Sequence, residues 1–131
     1  MKSGKILIIE DSPTQASVIA EIVSSIGFRP AVYHSIPTSV QQLLETESPD
    51  LVLLDLRLLD VEGAPVGDGF QICKEIKRGN KSLPVFIVSS EPIEEAGEWA
   101  KLQGADAFLQ KPFVPDDLKV LIQSLSVKES S

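Results

Sequence analysis

Four apolar runs in this chain each end on a polar residue, and that pattern constrains the fold more than any other feature. Ile6-Leu7-Ile8-Ile9 runs into Glu10-Asp11, and Leu51-Val52-Leu53-Leu54 into Asp55. Val85-Phe86-Ile87-Val88 runs into Ser89, and Ala107-Phe108-Leu109-Gln110 into Lys111. Unbroken apolar runs of this length suit strands of a parallel sheet covered on both faces. In such a sheet the C-terminal strand ends share one edge, and ligands bind in the crevice outside that edge. Three carboxylates, a hydroxyl and an ammonium are therefore expected to converge. That set has the chemistry of a divalent cation and a phosphoryl group.

The intervening segments read as helices. Asp11-Ser12-Pro13 opens the first, with a capping side chain and a proline at the first turn. Ile19, Ile22, Val23 and Ile26 follow at helical spacing until Gly27. Ala31–Tyr33 is a short second strand, and Ser35 to Glu45 reads as the second helix. Gly69 to Arg78 is the third helix, with Phe70, Cys73 and Ile76 inward. Glu91-Pro92 starts a fourth that carries Trp99 and closes at Gly104. Pro115-Asp116-Asp117 starts the last, with Leu118, Leu121, Ile122 and Leu125 at helical spacing. Five strand–helix alternations with short breaks imply right-handed crossovers and a doubly wound α/β sheet in three layers. The expected domain spans residues 1–125, with Ser126–Ser131 as a disordered tail or the start of a linker.

With 131 residues the chain is one domain of common size. A formal charge of −7 without a Lys/Arg cluster argues against direct nucleic-acid binding. Nothing approaches a membrane span or a signal peptide. The lone Cys73 permits no intrachain disulfide, so a reducing, cytoplasmic setting is expected, with the thiol buried and inert. His34, the single histidine, reads as a surface residue after the second strand rather than a phosphodonor.

Four segments together carry a family resemblance: Ile8-Ile9-Glu10-Asp11-Ser12, Pro49 to Asp55, Leu83 to Ser90, and Gly104 to Phe113 with its Lys111-Pro112. Over nearly its whole length the chain resembles a response-regulator receiver domain of the chemotaxis-regulator type. Such domains are the phospho-accepting modules of two-component signalling. Each site residue alone has a plainer reading, as a helix cap, a loop acid or a surface cation. Their order, each at a strand end, is what points to the family.

The resemblance implies a flavodoxin-like (βα)5 fold with strand order 2-1-3-4-5. It implies Asp55 as phosphoacceptor, fed by a histidine kinase or a histidine phosphotransfer protein. Mg²⁺, or Mn²⁺ in its place, would be held by Glu10, Asp11, Asp55 and the backbone carbonyl of Arg57. Ser89, Ser90 and Lys111 would bind the phosphoryl oxygens. Ser89 and Phe108 would form the switch toward an output protein or domain. That partner would dock on the fourth helix, fifth strand and last helix, with Trp99, Lys101 or Leu102 and Lys119 or Ile122 contributing. Pro112 resembles the family's cis-proline, which aims the lysine into the site. Such a domain is no enzyme toward other substrates; it catalyses only its own phosphorylation and dephosphorylation.

Two departures stand out. If Asp68-Gly69 matches the family's turn, the segment after Asp55 is longer than the family's loop; Val61-Glu62-Gly63 could match that turn instead. The segment could cover the site, touch a partner or be a neutral insertion. Arg57 could pair with Glu91, either shielding the phosphate or forming a weak surface ion pair. Among rivals, a haloacid-dehalogenase-type phosphatase needs a second acid where Arg57 stands. A flavodoxin-like redox protein needs a Ser/Thr/Gly-rich phosphate loop where Glu10-Asp11-Ser12-Pro13 stands. A phosphorylation-independent docking module is the remaining alternative, although such proteins usually lack one of the acids, the nucleophile or the lysine.

Overall fold

The strands are β1 Lys5–Ile9, β2 Arg29–Tyr33, β3 Leu51–Asp55, β4 Val85–Ser89 and β5 Ala107–Gln110. They form one parallel sheet in the order β2-β1-β3-β4-β5. The computed structural model describes residues 4–35, 39–55, 69–89 and 104–130, without the side chains of 69–71 and 125–130. Its helices are α1 Pro13–Ser25, α2 Val40–Glu47, α3 Gly69–Gly79 and a C-terminal helix Pro115–Ser130. The expected fourth helix with Trp99, Lys101 and Leu102, the long loop after Asp55 with Arg57, and Ser90 and Glu91 lie outside the described residues.

Sheet pleating divides the core by alternate residues. Leu7, Ile9, Val52, Leu54, Val85 and Ile87 pack on one face against Val40 and Leu43 of α2 and Ile72, Cys73 and Ile76 of α3. Ile6, Ile8, Leu51, Leu53 and Phe86 pack on the other against Ile19, Ile22 and Val23 of α1 and Leu118 and Ile122 of the C-terminal helix. Every residue of β3 and β4 is buried. Cys73 is fully buried, and burial pushes its thiol up to about 11, so it stays protonated and unreactive.

Local chemistry sets the element ends. Ser12 caps α1, accepting the Gln15 N–H at 3.3 Å, and Pro13 fills the first turn where its missing N–H costs nothing. Gly27 leaves the helix at φ +94°, a region a side chain would disfavour. Asp106 ties the start of β5 to β4: its carboxylate accepts the Val85 N–H at 2.9 Å and pairs with Lys77 of α3 at 2.8 Å.

Several boundaries differ from the sequence expectation. β2 begins at Arg29 because the Arg29 N–H reaches the Gly4 carbonyl, and Pro30 is tolerated on this edge strand. Ser39 caps α2, which therefore starts at Val40 rather than Ser35. The C-terminal helix continues to Ser130, past the Leu125 after which a disordered tail or the start of a linker was expected. Ile122, an alternative to Lys119 for the output face, is only 1% exposed because its helical position turns it into the α1-side core; Val120, at 62%, faces outward.

At the sheet's β2 edge, Tyr33 Oη donates to Glu47 of α2, whose other oxygen pairs with Lys5 of β1 at 3.1 Å. The tyrosine and lysine hydrogen bonds hold the Glu47 carboxyl below its ordinary 4.5, and the same contact raises the Tyr33 hydroxyl. A carboxyl lowered in the fold adds stability that is present above its unfolded value and lost as pH falls through the folded one. Glu47→Gln should therefore flatten the acid limb of a melting-temperature profile below about pH 4.5. An acid limb as steep as wild type's would show that Glu47 does not contribute.

Candidate functional site

The register brings the polar strand ends into a staircase. Ile9 pairs with Leu54, so Glu10 and Asp55 each stand one residue beyond the same rung. Asp55 pairs with Val88, and Ser89 is the next residue; Ser89 pairs with Gln110, and Lys111 follows. The Lys111 N–H donates to the Ser89 carbonyl at 2.7 Å, which carries the pairing one step further.

Glu10, Asp11 and Asp55 each place a carboxylate oxygen within 4.8 Å of the others. Glu10 is 2% exposed and Asp55 5%, so two of the three acids have left water. Carboxylates at such separations repel by about 3–4 kcal/mol per pair at an effective dielectric near 20. Lys111 Nζ lies 2.9 Å from Glu10 Oε1 and 3.8 Å from Asp55 Oδ1. Among the described residues, that one ammonium offsets part of the repulsion of three carboxylates. Hard oxygen donors in this arrangement fit Mg²⁺, which takes one or two carboxylates and keeps several waters. The cluster could thus hold a divalent cation.

Further contacts fix the site. The Ser12 N–H donates to Glu10 Oε2 at 3.3 Å, so both oxygens of that buried carboxylate are engaged. Lys111 Nζ also donates to Gln15 Oε1 on α1. His34 Nδ1 sits 2.9 Å from the Glu10 carbonyl. The Lys111–Pro112 peptide bond is cis. A cleft of about 690 Å³ opens onto the acids and runs along α1, with Thr14, Val18 and Ile22 on one side and Phe113 and Pro115 on the other.

Ser89 is fully buried. By alternation it shares the face of Val85 and Ile87, and Phe108 packs half-buried on that same face. Asp55, by contrast, alternates with Leu51 and Leu53 toward α1. Glu10, Asp11, Asp55 and Lys111 therefore come together in the cleft, while Phe108 sits across the sheet from it. Arg57 and Ser90 lie outside the described residues. Sequence reasoning missed Gln15 and the His34 contact. The Ser12-Pro13-Thr14-Gln15 pattern is a capping box, which would send the Gln15 side chain back to the cap and so gives no signal for its contact with Lys111.

The chain matches the family described as response regulator receiver domain over residues 6–123. It is 31% identical over 123 residues to the phosphate regulon transcriptional regulatory protein PhoB of Escherichia coli, covering 92% of this chain and 51% of that protein. The chain thus spans about half the length of the curated relatives it matches. Among solved structures, the receiver domain of NtrX from Brucella abortus superposes with a TM-score of 0.78 at 28% identity, over 91% of this chain and 95% of that one. A CheY-like receiver domain protein from Methanospirillum hungatei superposes with a TM-score of 0.82 over 98% of both chains; at 20% identity it speaks to the fold alone. Sheet order, acidic cluster and sequence agree: the chain belongs to the response-regulator receiver domain family.

Proposed function

We propose that this receiver accepts a phosphoryl group on Asp55 from a phosphohistidine of a histidine kinase or a histidine phosphotransfer protein. The observation that carries this reading is the Asp55 carboxylate itself. It is 5% exposed at the end of β3, within 4.8 Å of Glu10 and Asp11 oxygens, with Lys111 Nζ at 3.8 Å. A carboxylate in that setting is aimed, desolvated and able to act as a nucleophile. A phosphorylation-independent docking module would have no use for so costly a cluster of buried acids.

In the proposed step an Asp55 oxygen attacks phosphorus, the P–N bond breaks, and the imidazole leaves with the bonding pair. Mg²⁺, or Mn²⁺, bound to Glu10, Asp11, Asp55 and the Arg57 carbonyl would neutralise charge on the acids and the phosphoryl oxygens. Lys111 offers its ammonium to another phosphoryl oxygen, and Ser89 and Ser90 offer hydrogen-bond donors. Hydrolysis of the aspartyl phosphate by the same residues returns the domain to rest, so its catalysis is confined to itself. Drawing the Ser89 hydroxyl toward the phosphoryl group shifts a two-state equilibrium that Phe108 reports. The output partner reads that state on the surface of β5 and the C-terminal helix, where Val114 and Val120 are exposed.

Three experiments test this. With acetyl phosphate, intact mass should rise by one phosphoryl group in wild type, only when Mg²⁺ or Mn²⁺ is present, and not in Asp55→Asn. Equal labelling of both proteins would sink the assignment. Asp11→Ala should weaken Mg²⁺ binding at least about tenfold by calorimetry while the melting temperature holds or rises, because it relieves repulsion at a partly exposed acid. Unchanged affinity removes Asp11 from the ligand set. Finally, Ser89→Ala should still be phosphorylated, yet amide NMR shifts on beryllofluoride binding should stay near Asp55 rather than reach Phe108 and the C-terminal helix as in wild type. Equal spread in both proteins would mean that Ser89 is not the coupling residue.

A further inference from the structure

Among the described residues, Gln15 is the neutral side chain beside Glu10 and Asp55 at the Lys111 ammonium, and its position is unusual for its place in the helix. In a capping box, the third helical residue turns its side chain back to the N–H of the cap. Ser12, Pro13, Thr14 and Gln15 supply that pattern, and Ser12 Oγ does accept the Gln15 N–H. The reciprocal bond is not made. The Ser12 N–H goes to Glu10 Oε2 instead, and Gln15 Oε1 takes a proton of Lys111 Nζ. The start of α1 therefore fixes two members of the acidic site at once, Glu10 through Ser12 and Lys111 through Gln15.

We propose that Gln15 is a positioning residue that keeps the Lys111 ammonium available to an anion on Asp55; this rests on the phospho-accepting reading above. Lys111 Nζ is within hydrogen-bond distance of Glu10 Oε1, at 2.9 Å, but at 3.8 Å from Asp55 Oδ1 it is beyond it. Held by Glu10 alone, the ammonium would be drawn toward the first strand and away from the nucleophile. An ammonium carries three donors at fixed mutual angles. With one directed to Glu10 and one to Gln15, the third is left to the side where Asp55 stands. The amide does this without adding charge. A carboxylate at this position would be a fourth acid in the cluster and would compete with a phosphoryl group for the ammonium. Gln15 is exposed at the rim of the cleft, so replacing it leaves the core contacts of Ala16 and Ile19 intact.

The test uses the full chain with beryllofluoride as the anion, followed by fluorine NMR, and with Mg²⁺ alone, followed by calorimetry. Gln15→Leu should weaken beryllofluoride binding about fivefold, the scale of one exposed hydrogen bond to a charged group, while Mg²⁺ affinity and melting temperature stay near wild type. Gln15→Glu should move the two affinities in opposite directions, tightening Mg²⁺ and weakening beryllofluoride. In the absence of any cation, the Lys111 ¹⁵NH₃⁺ signal should broaden in Gln15→Leu, because the bond that slows its exchange is gone. Wild-type beryllofluoride affinity in both variants overturns the proposal. So does a loss in Gln15→Leu matched by an equal loss of Mg²⁺ affinity and melting temperature, which would make Gln15 a helix-capping residue only. A wild-type protein that binds no beryllofluoride overturns the phospho-accepting reading itself.

Discussion

Parallel pairing of β1, β3 and β4 with both faces covered leaves charged groups no place on these strands except their ends. The sheet interior is apolar from Ile6 to Ile9, from Leu51 to Leu54 and from Val85 to Val88. The register then sets Glu10 level with Asp55, and both are almost wholly removed from water. Their mutual repulsion, added to that of Asp11, works against folding. Among the described residues Lys111 is a compensating charge, delivered from the end of the fifth strand beside Ser89. A buried pair of this kind stabilises little against an apolar replacement, yet losing one partner leaves an uncompensated charge. Such an arrangement is better understood as a site maintained at some cost than as a source of stability.

The geometry of α1 follows from the same constraint. A helix that begins immediately after two acids offers its unpaired N–H groups and the positive end of its dipole to them. One of those groups, on Ser12, goes to Glu10 rather than into the helix's own capping box. The hydrophobic residues behind it, Ala16, Ile19, Ile22 and Val23, anchor the helix so that this orientation is fixed by the core and not by the polar contacts. Charge placement at the cleft is thereby coupled to packing one and two turns away.

What was legible in the sequence was whatever depends on period and on position within a run. Continuous apolar runs marked β1, β3 and β4, and a polar residue at the end of each marked the site edge, so Glu10, Asp11, Asp55 and Lys111 were found together. β5 was legible as the run Ala107 to Gln110 before Lys111, whereas β2 was legible only from Ala31 to Tyr33, because its first residues are added by backbone pairing that side chains do not announce. The start of α2 was misplaced because Ser35 and Ser39 are equally good caps by type. Lys119 and Ile122 stood as alternatives for the output face because helical spacing alone does not say which stripe faces the sheet. The Gln15–Lys111 contact joins residues 96 positions apart, and no local pattern encodes such a pairing.

The sheet also separates the two jobs of the site. Asp55 alternates toward α1, where Lys111 and Glu10 meet it, whereas Ser89 alternates toward α2 and α3, the face on which Phe108 packs. On the proposed reading, chemistry occurs on one side of the strand ends and is sensed from the other. A hydroxyl drawn from the second side toward a phosphoryl group on the first must leave a close-packed environment that includes Ile87, next to which Phe108 is registered. Cores packed to crystal-like density do not deform in proportion to a small pull; they hold until a neighbouring side chain can fill the vacated volume. Phe108 is half-buried, whereas Ile87 and Val88 beside it are enclosed. On the proposed reading, a graded electrostatic attraction at Asp55 would in this way be converted into a choice between two packings, with the partly buried aromatic on the edge strand making it.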